Sequence, residues 1–150
     1  MPQFEHHPFA RRLVNSGRLS VPCFYAASTL SSPDLEPFDG VMFPGAPADD
    51  VPMGDGSWLL RHLTGGFTLL LFCDPGETLD DAMADLAALA DDPVPVHVLP
   101  VQAQGAARSR YDARHGTAYL IRPDQHVAAR WRRADCGQIR AAVRLACGQH

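Results

Sequence analysis

Tyr119-Leu120-Ile121-Arg122-Pro123-Asp124-Gln125-His126-Val127-Ala128-Ala129-Arg130-Trp131 reads as a strand, a tight turn and a returning strand. Thr117–Ile121 and Val127–Trp131 supply the two arms. Pro123-Asp124 suits the turn because proline presets φ and an aspartate carboxylate bonds to nearby backbone. After the hairpin, Asp135 and Gln138 have the spacing of a capping box. Ile139, Ala142, Val143 and Ala146 then give a helix its buried stripe, and Gly148 ends it.

The same reading extends backwards. Phe67–Phe72 is a continuous apolar run between turn residues, the pattern of a central strand covered on both faces. Thr78 and Asp81 predict a second capping box, followed by a helix whose buried face is Leu79, Met83, Leu86 and Ala90. Val94–Val101 predicts another strand, in which Pro95 and Pro100 are awkward for a central ladder. Gln102–Arg114 reads as a polar connection holding one helical turn. Ser57 is placed to cap a short helix through Trp58, Leu59, Leu60 and Leu63, stopped by Gly65-Gly66. The resulting order is strand, helix, strand, connection, strand, strand, helix. A parallel pair needs a crossover, and the Thr78 helix supplies one. The expected fold class is therefore α/β and thioredoxin-like, a central mixed sheet with flanking helices.

Upstream of this core the signals weaken. Residues 1–20 are polar and carry Arg11, Arg12 and Arg18, with a short helix expected at Phe9–Val14. Val21–Ala26 reads as a short strand. Ser31–Pro52 is rich in Pro, Gly and Asp and reads as an extended loop, with one brief strand at most over Gly40–Pro44. The expected division is an N-terminal arm and junction over 1–35 and a domain over 36–150.

Composition narrows the function classes. A chain of 150 residues that is 46% hydrophobic holds one domain with a real core. All 13 basic side chains are arginine, which removes lysine Schiff-base and phosphate-loop chemistry. The net charge of -4 favours no polyanion. Asp74, Glu77, Asp80, Asp81, Asp85, Asp91 and Asp92 occur together without an arginine among them, whereas Arg108–Arg144 is arginine-rich. Such asymmetry can guide docking, although a solvated helix face gives the same pattern. Cys23, Cys73, Cys136 and Cys147 form no CxxC pair and read as free thiols of a reducing compartment. No apolar run follows a basic stretch at the N-terminus, and Leu69–Cys73 is far too short to span a bilayer. A cytoplasmic protein with no membrane and no nucleic-acid partner is expected.

The hairpin resembles the end of the C-terminal domain of flavin-dependent aromatic-ring monooxygenases, the phenol-hydroxylase-like group. Tyr119, Leu120, Ile121, Arg122, Pro123 and Asp124, with Trp131 close behind, carry the resemblance. Pro44-Gly45-Ala46-Pro47, Trp58–Leu63 and Phe67–Phe72 are similar to elements further upstream in that domain. Asn15–Ser20 and Tyr25–Leu30 resemble the stretch just before it. The resemblance implies a thioredoxin-like fold without a redox cysteine pair, packing on flavin and substrate domains or forming a homodimer. FAD and NAD(P)H chemistry would belong to a larger part that opens with a GxGxxG turn. The chain has no such motif, so no cofactor is expected on it. The expectation is a non-catalytic C-terminal domain, or a stand-alone relative, acting in assembly or dimerisation. Two departures stand out. The usual turn glycine is Gln125, which implies a different turn or roughly 1 kcal/mol of strain in the left-handed region. The Arg130-Trp131 order is also inverted from the common form.

Cys73 follows the central strand and precedes a helix, where a thiol pKa can be lowered, and it defines the rival reading of a single-cysteine thiol oxidoreductase. Yet Gly76 stands where a second thiol of the pair belongs, and Thr78 fails the peroxiredoxin spacing from Pro75. Cys136 and Cys147 are placed to share a core face of the last helix. His62, His97, His115 and His126 form no ligand motif, so no metal is expected. Asp81 and Asp85, with Asp80 beside them, read as a solvated face. Arg130 and Trp131, near Arg122, Arg132 and Arg133, suit a protein–protein contact better than nucleic acid. A third reading is an aromatic-ligand module with a pocket between Trp58, Phe67 and the hairpin.

Overall fold

Strand β1, Phe67–Cys73, is buried along its whole length in the computed structural model, which describes residues 23–149. It lies inside a four-stranded sheet with β2 (Val96–Gln102), β3 (Ala118–Ile121) and β4 (Val127–Trp131), in the order β2-β1-β3-β4. β1 and β2 run parallel, with Leu69 opposite Val98. β1 and β3 are antiparallel, with Leu69 opposite Leu120, and β3 and β4 form the hairpin. Helices α1 (Asp80–Leu86), α2 (Gly105–Arg110) and α3 (Cys136–Ala146) complete the mixed α/β fold, whose architecture is thioredoxin-like.

The apolar run of β1 is explained by two cores. Phe67, Leu69 and Leu71 pack with Leu86, Leu89, Ile139, Ala142 and Val143 on the side of α1 and α3. Leu70 and Phe72 pack with Leu59, Val51, Val101, Tyr111 and Tyr119 on the other side. Alternation sends successive side chains to opposite faces, so a strand buried on both must be apolar throughout. β2 is an edge strand, which accommodates Pro100, and only Val96 and Val101 are buried in it.

The capping box at Asp135 and Gln138 is present, and Gly148 closes α3 with φ +75°. The box expected at Thr78 and Asp81 is absent. Helix α1 starts at Asp80 with Leu79 in the cap position and no side-chain cap. The carbonyl of Glu77 instead accepts the Cys73 thiol at 2.9 Å, which ties the preceding loop to β1. The helix then tightens into a 3-10 turn over Ala87–Asp91. Three-residue periodicity puts Leu89 below Leu86, so Leu89 is buried and Ala90 exposed.

Three further expectations need correction, at Ser57, at Val21–Ala26 and at Cys147. Ser57 caps nothing; the 3-10 turn Leu59–His62 follows Trp58, and Ser57 bonds Asp55 and His62. Gly40–Pro44 forms no strand; nearby, Pro47 makes one bridge to His126. The described part of Val21–Ala26, from Cys23, is not a strand, and the helix at Phe9–Val14 lies outside the described residues. Cys147 is exposed and shares no core face with Cys136.

Candidate functional site

The hairpin turn carries the family-like residues, and its chemistry begins with Pro123 and Asp124. The Gln125 N–H donates to the Arg122 carbonyl at 2.9 Å, and the Arg122 N–H to the His126 carbonyl at 2.8 Å. Gln125 has φ +65°, so a three-residue loop places a non-glycine in the left-handed position. Arg122 pairs with Asp124 at 2.6 Å across this turn. The pairing then slips: Ile121 faces Val127 while Leu120 faces Ala129, leaving Ala128 as a bulge.

That bulge decides what Arg130 and Trp131 do. Two successive residues, Ala128 and Ala129, face the α1 and α3 core, so Trp131 also falls on that side and is buried. Arg130 falls on the opposite face and is buried as well. It holds Asp34 by two bonds, of 2.9 and 2.6 Å, and the Met42 carbonyl by a third at 2.9 Å. Arg130 and Trp131 are therefore internal anchors, not the exposed contact pair expected from the sequence. Arg132 pairs with Asp112 and donates to the Asp112 and Pro37 carbonyls. Both guanidinium groups lie over the Phe38 ring, that of Arg130 4.5 Å and that of Arg132 3.8 Å from its centroid. Burial raises the Asp112 carboxyl's pKa, but the Asp39 N–H and Arg132 outweigh it and hold it below the ordinary carboxylate range.

These contacts fasten residues 23–46 as a strap along the β4 edge. Ser32 donates to Ala128, Gly45 donates to Val127, and Val127 donates to Ala46. Tyr25 donates to the Gly45 carbonyl at 2.8 Å. Gly45 has φ +96°, and a Cβ there would overlap the Tyr25 carbonyl. Beneath the strap, the Tyr119 hydroxyl donates to the Tyr111 carbonyl and the Tyr111 hydroxyl to the Asp49 carbonyl, both at 2.6 Å. Burial pushes the Tyr119 phenol up to about 12. Both tyrosines stay neutral and act as fixed donors. The strap turns apolar side chains outward: Phe24, Tyr25, Leu35 and Val41 are all exposed, Leu35 at 80%.

Cys73 lies where the sequence placed it, at the end of β1. It is buried, and burial together with Glu77, Asp74 and Asp80 pushes its thiol up from the ordinary value. The thiol donates to carbonyl oxygens, so this environment favours the protonated form and opposes nucleophilic chemistry. The same strand-to-helix turn is where open α/β sheets hold phosphates. Here it carries Asp74, Glu77, Asp80 and Asp81, and a pyrophosphate would meet four carboxylates. These residues do not fit a flavin nucleotide.

Other candidates divide similarly. Phe67 faces the α1 and α3 core, whereas Trp58 is half exposed and adjoins Leu59 of the opposite core, so the two cannot wall one aromatic pocket. A groove of about 690 Å³ between the starts of α1 and α3 is lined by Asp80, Asp81, Asp85, His115, Arg133 and Asp135. Asp135 is committed to its cap, and the Cys136 thiol donates to the Asp85 carbonyl. Among the described residues no group of three or more His, Cys, Asp or Glu is placed to hold a metal. One cluster gave no sequence signal: Ser57 Oγ lies 2.5 Å from Asp55 Oδ1 and 2.7 Å from His62 Nε2. Hydrogen bonds from Ser57 hold the Asp55 carboxylate below its ordinary range. The hydroxyl spends its one proton on Asp55, so His62 must donate and cannot serve as the base for Ser57. No helix among the described residues is long and apolar enough to cross a membrane.

The parallel unit, the antiparallel hairpin and the covering helices define a thioredoxin-like α/β domain. The chain belongs to the family described as aromatic-ring hydroxylase, C-terminal, whose model matches residues 37–149. The flavin-dependent monooxygenase PieE, solved with FAD and substrate, is similar at 28% identity over 87% of this chain, with a TM-score of 0.57. RebC-10x with bound 7-carboxy-K252c is similar at 26% identity over 94%, with a TM-score of 0.62. The substrate-free rebeccamycin biosynthetic enzyme RebC shares the fold, with a TM-score of 0.63 over 97% at 23% identity. The chain covers 26%, 27% and 29% of those three chains, less than a third of each. No curated protein matches it.

Proposed function

We propose that this chain is the non-catalytic C-terminal module of an FAD-dependent aromatic monooxygenase, or a stand-alone relative of one, and that it acts in assembly. Residues 36–150 are the module and residues 1–35 its junction. It packs on a flavin-binding module that supplies the FAD and NAD(P)H chemistry, forms a homodimer through the same assembly, and works in the cytoplasm. The residues Tyr119, Leu120, Ile121, Arg122, Pro123, Asp124 and Trp131 build the hairpin that holds the strap.

One observation carries this reading. The strap is fastened by the buried Arg130, yet presents Phe24, Tyr25, Leu35 and Val41 to solvent. Ordered apolar side chains on a rigid support are what a docking surface requires, because little entropy is lost on binding. The isolated chain with added FAD should not oxidise NADPH; sustained oxidation would overturn the reading. Mixed with a flavin-binding monooxygenase module, it should co-elute, and the Leu35→Asp, Val41→Asp double variant should weaken that association by at least about tenfold, the ratio 1.4 kcal/mol represents.

A further inference from the structure

We propose that His126 is a proton-operated latch that fastens the start of the strap to the hairpin turn. His126 Nε2 lies 3.0 Å from the Cys23 carbonyl oxygen, and Nδ1 lies 3.0 Å from the Asp124 carbonyl oxygen. Both partners are pure acceptors. A neutral imidazole has one N–H, and only the imidazolium donates from both nitrogens. Protonated His126 therefore satisfies both carbonyls. Neutral His126 must turn one lone pair against an oxygen at hydrogen-bond distance.

The surroundings decide which bond is lost. Nδ1 faces the Asp124 carbonyl and, at 3.4 Å, the Asp124 carboxylate. That carboxylate is shared with the Arg122 guanidinium. The single proton of the neutral ring belongs on Nδ1, between two acceptors. Nε2 is left facing the Cys23 carbonyl with a lone pair. From the strap, the Tyr25 ring packs against the imidazole at 4.9 Å between centroids and brings no charge. Pro47, bridged to His126 from the following loop, brings no charge. Deprotonation thus frees Cys23, while Tyr25 stays bonded to the Gly45 carbonyl. The strap hinges at Tyr25, and the position of Cys23 depends on pH. The latch is independent of the assembly reading.

The test is an NMR titration of the full chain from about pH 5 to 8, the window of histidine titration. The Cys23 carbonyl carbon and the Phe24 amide should shift in one step, with the same midpoint as the His126 ring. The Gly45 carbonyl should stay constant. Above the midpoint, ring nitrogen shifts should place the proton on Nδ1. In H126Q, which carries an amide donor and no titrating group, the step at Cys23 should vanish. A His126 ring that titrates while the Cys23 carbonyl stays fixed would overturn the latch. So would a neutral ring protonated on Nε2, which is readable on the unmodified chain whether or not H126Q folds.

Discussion

Gln125 sits at φ +65°, a conformation that costs an L-residue roughly 1–2 kcal/mol and glycine nothing. The backbone holds it there from both sides, since its N–H donates to Arg122 and its carbonyl accepts from Ala48 at 2.7 Å. A turn so fixed tolerates the wrong residue and stores the strain. Replacing Gln125 with glycine removes that cost but loosens the unfolded chain, which returns roughly 0.5–1 kcal/mol. Q125G should therefore raise stability by up to about 1.5 kcal/mol, seen as a higher urea midpoint at unchanged slope. A β-branched residue should lower it, so Q125V is the opposing control. The sequence shows the anomaly plainly, because the turn chemistry before it, Pro123 and Asp124, is regular.

At the scale of elements, legibility followed where the stabilising contacts lie. β1 could be read because burial on both faces forces a continuous apolar run, and α3 because its cap and stripe are local. The start of α1 misled because Thr78 and Asp81 match a capping box, while the Cys73 thiol draws the Glu77 carbonyl into the loop. The Ala128 bulge left no mark, and it reversed the fate of Arg130 and Trp131. The fastening of the strap leaves no local signal for a related reason: its partners are about ninety residues away in the chain, as with Arg130 and Asp34. That pair is a planar fork on a carboxylate, with the Arg130 side chain 5% exposed and Asp34 31% exposed. Lysine keeps the charge but loses the fork and the Met42 bond. Each lost charge-assisted bond is worth about 1.5–3 kcal/mol before allowance for the exposure of Asp34. R130K should thus cost about 2 kcal/mol, and hydrogen exchange should quicken at Ser32 and Gly45 more than at β1 amides. Uniform loosening of β1 and strap alike would show that Arg130 supports the core and not the strap in particular.

At the scale of the whole molecule, the charge asymmetry of the sequence closes on itself only in part among the described residues. Arg108 meets Asp74 at 3.4 Å, Arg140 meets Asp92 at 2.7 Å, and Arg110 meets Asp49 at 3.4 Å. Arg130 and Arg132 are spent on Asp34 and Asp112. Of the acidic run, however, only Asp74 and Asp92 are paired in this way; Glu77, Asp80, Asp81, Asp85 and Asp91 make no ion pair among the described residues. Two candidate docking faces follow, the apolar one on the strap and the charged groove between α1 and α3. Salt separates these alternatives, since at 0.1 M ionic strength exposed charges more than about 10 Å apart are screened whereas apolar burial is not. If the strap is the docking face, affinity for a flavin-binding module should change less than about threefold between 0.05 and 0.5 M NaCl, a range that carries screening from weak to nearly complete. Calorimetry at several temperatures should also give a negative heat-capacity change, the mark of apolar burial. An affinity that falls by orders of magnitude across that range would move the docking face to the charged groove between α1 and α3, where Asp80, Asp81, Asp85 and Arg133 lie.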